Sequence, residues 1–298
     1  MVGDAPPVDR MTNSRTPVLL IAALLAPALI GLVVFRLYPI ALAAGDSFFN
    51  VLRGQRVFVG FDNYIALLTD SIFWNSLWVT LWFNLLINPI QIALALGLAL
   101  LYVQQFKGVT FYRILFLIPI GVSLPTAVII WRIMLSQDGL VNGVLGIAGV
   151  PAQPWLTAQS LALYSIIAIA TWKGISYWMI FIIGGLQNIS PEIYDAAKVD
   201  GVKPWQQLFY ITIPLLRPTL LFVLVADVSI NFLLFAPIFM LTQGGPADST
   251  NVLMYEAYKS GFIFGDMGRA MAIIVVVVAI LLVIVGLQFR LLSGKGAR

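Results

Sequence analysis

The chain lacks both cysteine and histidine across 298 residues. The first absence excludes disulfides, thiol nucleophiles and thiolate metal sites. The second removes the commonest general base, metal ligand and pH switch. Thirteen acidic residues remain, and none falls in a metal-ligand pattern. No glycine-rich lysine loop of the P-loop kind occurs, so the chain does not itself use ATP. Charge is scarce, at 10% against 60% hydrophobic residues. With a mean hydropathy of +0.96, this is the composition of an integral membrane protein. Six spans of about 20 residues fit the length. The net charge of +4 is spread over loops, which makes it a signal of topology and not of nucleic-acid binding.

What is present is a series of uncharged stretches separated by polar punctuation. Residues 1–17 are a polar, proline-containing tail, and 18–43 form a first span. A signal peptide is the rival reading of this segment, but its apolar run exceeds a typical signal h-region. Residues 44–70 read as a soluble external loop holding Arg53, Arg56 and Phe61-Asp62-Asn63-Tyr64. Ser71 to Phe106 carries no charge and provides the second span. Within it Asn84, Asn88 and Gln91 share one helix face; such a stripe serves either interhelical hydrogen bonding or a pathway. The third span, Ile114 to Leu135, contains Pro119 and Pro125, which predicts either a simple kink or a broken helix against protein or water. Gln137 to Gln159 is a loop with room for one short helix. Spans four to six follow at about 161–186, 219–241 and 270–289. The loop between the last two, 242–269, opens with the turn-rich TQGGPADST.

Between spans four and five lies a polar island, Glu192 to Pro218. Ser190 is placed to cap a helix that Pro191 and Glu192 begin. Ile193, Ala196, Ala197 and Val199 give that helix one apolar side, and Gly201 stops it. Pro204 starts a second helix with Trp205, Leu208, Phe209 and Ile211 at helical spacing. Two short amphipathic helices in a loop predict docking into another protein.

Asp195-Ala196-Ala197, three residues, Gly201, nine residues, then Ile211-Thr212-Ile213-Pro214 resembles the EAA loop of ABC-importer permeases. Asp195 stands where glutamate is usual and Ile213 where leucine is usual. The wider text is similar to the carbohydrate-uptake branch, the maltose-type and glycerol-phosphate-type permeases, over residues 18–290. The resemblance implies an all-α integral membrane protein of six transmembrane helices, the type-1 importer permease fold with a cytoplasmic coupling-helix loop. Residues 71–290 would be a core of five spans that includes the EAA loop at 187–218, and 291–298 a cytoplasmic tail. It also implies the loop's role: Asp195, Ala196, Ala197, Asp200, Gly201, Trp205, Leu208, Phe209, Ile211 and Pro214 would engage an ATPase cleft.

Charge placement agrees on sidedness. Ten Lys and Arg fall on the side of the termini: Arg10, Arg15, Lys107, Arg113, Lys198, Lys203, Arg217, Arg290, Lys295 and Arg298. Six fall opposite: Arg36, Arg53, Arg56, Arg132, Lys259 and Arg269. The positive-inside rule then puts both termini and the Asp195 loop in the cytoplasm.

Two charges lie at membrane depth, Lys173 and Asp227, where each costs about 2.5–3.5 kcal/mol on insertion scales. They form either a structural pair locking two spans or part of a solute pocket. By resemblance, the pocket positions are Trp172, Lys173, Gly174, Tyr177, Asp227, Ile230 and Asn231. The implied function is that of the transmembrane subunit of a binding-protein-dependent ABC importer, moving a sugar or glycoside across the inner membrane. Its implied partners are a second homologous permease, two ATPase subunits that bind ATP and Mg, a periplasmic binding protein and membrane lipid. No catalytic residue, metal or cofactor is expected in this chain, and no nucleic acid. A secondary active transporter for a polar solute is the alternative; it predicts inverted repeats with paired interrupted helices, and no repeat is visible. A purely structural membrane protein leaves Lys173 and Asp227 without a role.

Overall fold

The second span sets the frame of the molecule. In the computed structural model, which describes residues 16–52, 55–104 and 107–293, it is one helix of 33 residues, Ser71–Val103, roughly 50 Å long at 1.5 Å per residue. Asp70 caps it by accepting from the Ile72 N–H at 2.7 Å. The expectations resting on Arg10, Arg15, Arg53, Phe106, Lys295 and Arg298 lie outside the described residues.

In chain order, α1 (Thr16–Leu32) continues through a π-helical turn, Val33–Leu37, into α2 (Tyr38–Asp46). Arg36 therefore sits inside the first helix and not in a loop. The segment 49–58 departs from the all-helical expectation. It pairs as an antiparallel hairpin of β1 (Phe49–Leu52) and β2 (Gln55–Phe58), followed by α3 (Asp62–Thr69) and the long α4 (Ser71–Val103). The third span is α5 (Val109–Gly121) and α6 (Leu124–Met134), which meet at 108°. This is a break, not a kink. Then come α7 (Leu140–Ile147), α8 (Ala162–Gln187), α9 (Pro191–Val199) and α10 (Pro204–Gln206). A π-helical stretch, Gln207–Thr212, leads to α11 (Ile213–Leu215), α12 (Arg217–Phe232), α13 (Ala236–Leu241), α14 (Leu253–Tyr258) and α15 (Met267–Ser293). Among the described residues five helical segments are long and apolar enough to cross a membrane, and the α5–α6 pair makes a sixth.

Helix α8 packs along α4, and the two draw close because α8 offers glycine at the crossing: a Cβ on Gly174 would overlap the Gln91 side-chain amide. Close approach at small residues is how helices associate where lipid removes the hydrophobic drive. The core runs in layers along α4. Phe73 joins Leu67, Leu253 and Ile273; Phe83 and Ile87 join Ile166 and Ile238; Ala95 and Ala99 join Met179, Ile182 and Leu216. By contrast α1 exposes Leu20, Leu24 and Leu29, as a lipid-facing helix does.

The loop before α15 is buried through its middle, though Phe262, Ile263 and Phe264 are exposed. Leu253, Glu256 and Ser260 are buried, and Thr80 of α4 accepts from the Leu253 N–H at 2.9 Å. Glu256 pairs with Lys259 at 2.9 Å and with Arg269 at 3.2 Å, and Arg269 reaches Asp70 at 2.5 Å. Burial raises the Glu256 carboxyl, but bonds from Asn251, Lys259 and Arg269 outweigh it and hold the group below its ordinary value. Asp70 is held low in the same way, burial being outweighed by the Ile72 N–H and Arg269.

Candidate functional site

A cavity of about 410 Å³ opens between α4, α8 and α12, against the α5–α6 break. Its walls hold Lys173, Gly174, Tyr177, Asp227, Ile230 and Asn231, all expected from the sequence, together with Gln91, Ile120, Leu124, Ala170, Trp178 and Leu234. Trp172 is not among them. It packs edge-on against Trp131, with ring centroids 5.8 Å apart. The reason is helical geometry: Trp172 lies about 100° behind Lys173, on the far side from Tyr177 and Trp178. The neglected Trp178 faces the cavity instead, and its place one helical turn after Gly174, i to i+4 on nearly the same face, was the signal that could have found it.

Lys173 and Asp227 share the cavity without forming an ion pair, so of the two alternatives left open by the sequence the structural pair is not what the packing makes. The Lys173 ammonium donates to the carbonyl oxygens of Pro119 at 2.6 Å, Ile120 at 3.2 Å and Val122. Those are carbonyls that the break at Gly121 deprives of helical partners. Unsatisfied backbone at membrane depth is costly, and the lysine closes that account. On the other side of the break Ser123 caps α6 by accepting from the Thr126 N–H at 3.4 Å, and Pro125 sits in its first turn. Asp227 is 1% exposed. Its Oδ1 accepts from Trp178 Nε1 at 2.6 Å and from Asn231 Nδ2 at 3.0 Å.

The amide stripe of α4 makes interhelical hydrogen bonds and contributes Gln91 to the cavity wall. Asn231 Nδ2 also donates to Asn88 Oδ1 at 2.7 Å and Gln91 Oε1 at 3.1 Å, and Gln91 Nε2 donates to the Ala170 carbonyl at 2.9 Å. These bonds tie α4 to α12 and α8, while Gln91 also forms cavity wall. Asn84 bonds within its own helix, to the Thr80 carbonyl.

The island between α8 and α12 folds as two short helical pieces. Ser190 occupies the cap position of α9, yet its side chain makes no capping bond; that expectation is corrected. Gly201 stops the helix with φ +72°, and the chain closes by Gly201 N–H to Lys198 O and Val202 N–H to Ala197 O, a glycine-terminated helix end. The second piece starts at Pro204, and Gln206 Oε1 accepts from the Lys203 N–H. Asp195, Ala196, Asp200 and Gly201 are exposed. So are Val199 at 88%, Trp205 at 54% and Phe209 at 60%. Leu208 and Ile211 are half-buried, and Pro214 lines a groove between α4 and α12 with Pro89 and Arg217. Ala197 is 5% exposed, so it packs inside this chain and offers no surface to a partner.

A bundle of apolar spans around a mainly apolar cavity backed by a few buried polar groups, with an exposed helical loop joining two of the walls, defines a membrane transport component. The chain belongs to the family of binding-protein-dependent transport system inner membrane components, whose model matches residues 91–295. It is a permease subunit of the inner membrane and not an enzyme in its own right. The chain is 35% identical over 270 residues to the lactose transport system permease protein LacF of Rhizobium radiobacter, covering 89% of this chain and 91% of that one. It is 33% identical over 281 residues to the sulfoquinovosyl glycerol transport system permease protein SmoG of Agrobacterium fabrum, covering 93% and 91%. The sn-glycerol-3-phosphate transport system permease protein UgpA of the same organism is 33% identical over 276 residues, covering 91% and 94%. A bacterial ABC transporter that imports alginate shares the fold with a TM-score of 0.79 at 23% identity, over 94% of this chain and 96% of its own.

Proposed function

We propose that this permease carries a sugar or glycoside through the 410 Å³ cavity, received from a binding protein outside. The observation that carries this reading is the connectivity of the cavity walls. Helices α8 and α12 supply Lys173, Tyr177 and Trp178, and Asp227 and Asn231, and the exposed loop 187–218 is the chain that joins them. A force applied to Trp205 and Phe209 is delivered to both walls. Such an element, biased by the solute at one end and a partner at the other, is what coupling requires. Aromatic faces at Tyr177 and Trp178 suit sugar rings, and the buried amides and carboxylate suit hydroxyls.

In this reading ATP and Mg are bound by two separate ATPase subunits, and the loop residues Asp195, Ala196, Gly201, Trp205 and Phe209 seat in a cleft on one of them. Nucleotide-driven closure then rocks α8 against α12 and switches the cavity between faces. A second homologous permease completes the pore. Residues 1–17 and 291–298 are cytoplasmic tails, 18–43 a first span, 44–70 an external loop and 71–290 the core. A relative named for lactose and others named for sulfoquinovosyl glycerol and sn-glycerol-3-phosphate support a polyhydroxylated solute. The test is uptake by proteoliposomes containing both permeases and the ATPase pair, driven by internal ATP and loaded binding protein. Uptake that proceeds without ATP, or without the binding protein, overturns the reading.

A further inference from the structure

Two neighbouring residues of α8 hold both arms of the α5–α6 elbow. Lys173 donates to the carbonyls of Pro119 at 2.6 Å and Ile120 at 3.2 Å, at the end of α5, and to that of Val122 in the break. Trp172 meets Trp131 of α6 edge-on. The foot of α5 is fixed as well: Arg113 donates to the Tyr102 carbonyl of α4, from Nε at 3.1 Å and Nη2 at 2.8 Å. Helix α4 is in turn seated on α8, where Gln91 Nε2 donates to the Ala170 carbonyl beside Gly174. Among the described residues no hydrogen bond joins the break, 119–124, to α12. By these bonds the elbow is fastened to the α4–α8 side of the cavity and not to the α12 side.

The elbow is also cavity wall, because Ile120 and Leu124 stand on either side of the break and line the cavity with Lys173 and Tyr177. Bent by 108°, the two arms share no continuous hydrogen-bond ladder to hold their angle. Lysine brings three N–H donors and no acceptor, and its charge suits the carbonyl end of α5, the negative end of a helix dipole. One side chain thus satisfies the freed carbonyls and fixes where the break stands against α8. Lys173 is roughly 20 Å along α8 from its end at Gln187, at 1.5 Å per residue. That end enters the loop 187–218, so a displacement of the loop reaches Lys173 through continuous helix.

We infer that Lys173 is a positioning residue for alternating access. It clasps the elbow to α8, so that Ile120 and Leu124 travel with α8 when it moves against α12. This step rests on the reading of the loop 187–218 as the coupling element. The wall that ATP-driven closure displaces is then α8 together with the elbow.

The test uses the assembled complex of both permeases and the ATPase pair in nanodiscs, nucleotide-free and with ATP trapped by vanadate. The chain has no cysteine, so pairs of introduced cysteines carry spin labels at exposed positions. Ile133→Cys/Ile180→Cys reads the distance from α6 to α8, and Tyr164→Cys/Phe222→Cys that from α8 to α12. On trapping ATP the α8–α12 distance should shift and the α6–α8 distance should stay a single unmoved peak. In Lys173→Met the α6–α8 peak should broaden and become nucleotide-dependent. A merely structural lysine would lower the yield of complex and leave that peak unmoved in what assembles. An α6–α8 shift in the unaltered complex as large as the α8–α12 shift overturns the inference and leaves the coupling reading intact. An α8–α12 distance indifferent to nucleotide sinks that reading, and the inference with it. An assembled Lys173→Met complex whose α6–α8 peak is unmoved removes Lys173 as the clasp. Should that variant not assemble, Lys173→Gln keeps two N–H donors on a shorter stem and is read by the same distance. A broadened, nucleotide-dependent peak supports the clasp there too, and an unmoved one overturns it.

Discussion

Lys173 and Asp227 line one cavity but answer to different partners, the lysine to the carbonyls of the α5–α6 break and the aspartate to Trp178 and Asn231. They share no hydrogen-bond partner. Lys173→Met strips three carbonyls of their donor and should cost about 1–3 kcal/mol. The double variant Lys173→Met/Asp227→Asn should show the two effects added, with coupling below about 0.5 kcal/mol. Thermal unfolding of the purified complex reads this directly. Recovery of stability in the double variant would restore the ion-pair lock.

Gly174→Ala tests the approach of α8 to α4. The new Cβ has no room beside the Gln91 amide, and Gln91 is fixed by its bonds to Ala170 and Asn231. Overpacking of this kind costs typically 1–3 kcal/mol. Because Gln91 also forms cavity wall, uptake should fall by more than the loss of assembled complex. Equal losses of uptake and assembly would confine Gly174 to packing.

Gly201 holds φ +72°, and a Cβ there would meet nothing within 4 Å. The cost of Gly201→Val is therefore backbone strain alone, about 1–2 kcal/mol, released by turning the chain and misdirecting Trp205 and Phe209. Transport should be lost and the ATPase detached or unstimulated, while binding-protein docking on the outer face survives. Trp205→Ala/Phe209→Ala should uncouple without misfolding, since both side chains are exposed. Ala197→Asp is a different experiment, because it places a charge at a buried position and should impair folding of the chain. Normal ATP-driven uptake by Gly201→Val and by the aromatic pair would remove the loop from the mechanism.

Acid should loosen the network around Arg269. Glu256 and Asp70 both have carboxyls held below their ordinary values. A depressed folded-state pKa contributes stability that is present above the unfolded value, about 4, and is lost as pH falls through the folded one. Melting temperature should therefore drop as pH is lowered below about 4. Arg269→Met should cost about 1–3 kcal/mol at neutral pH and partly flatten the acid dependence, mainly through Asp70, because Glu256 keeps its bonds from Asn251 and Lys259. An unchanged acid profile in Arg269→Met would remove this network from the account.

Composition and local pattern determined much of this protein. Uncharged runs marked the spans because lipid admits little else, and Gly201 and Pro204 punctuated the island because backbone freedom and a missing N–H act locally. Those same local signals located Lys173 and Asp227 as charges at membrane depth, and both line the cavity. The tertiary structure decided what they touch. Lys173 meets Pro119 across 54 positions and Asn231 meets Asn88 across 143, and no local rule selects among such distant partners. It decided that Trp178 and not Trp172 faces the cavity, that Ala197 faces inward, and that Glu256 lies in a buried loop. Residue type sets what a side chain demands in a membrane; only the packing of helices far apart in the chain settles which group meets that demand.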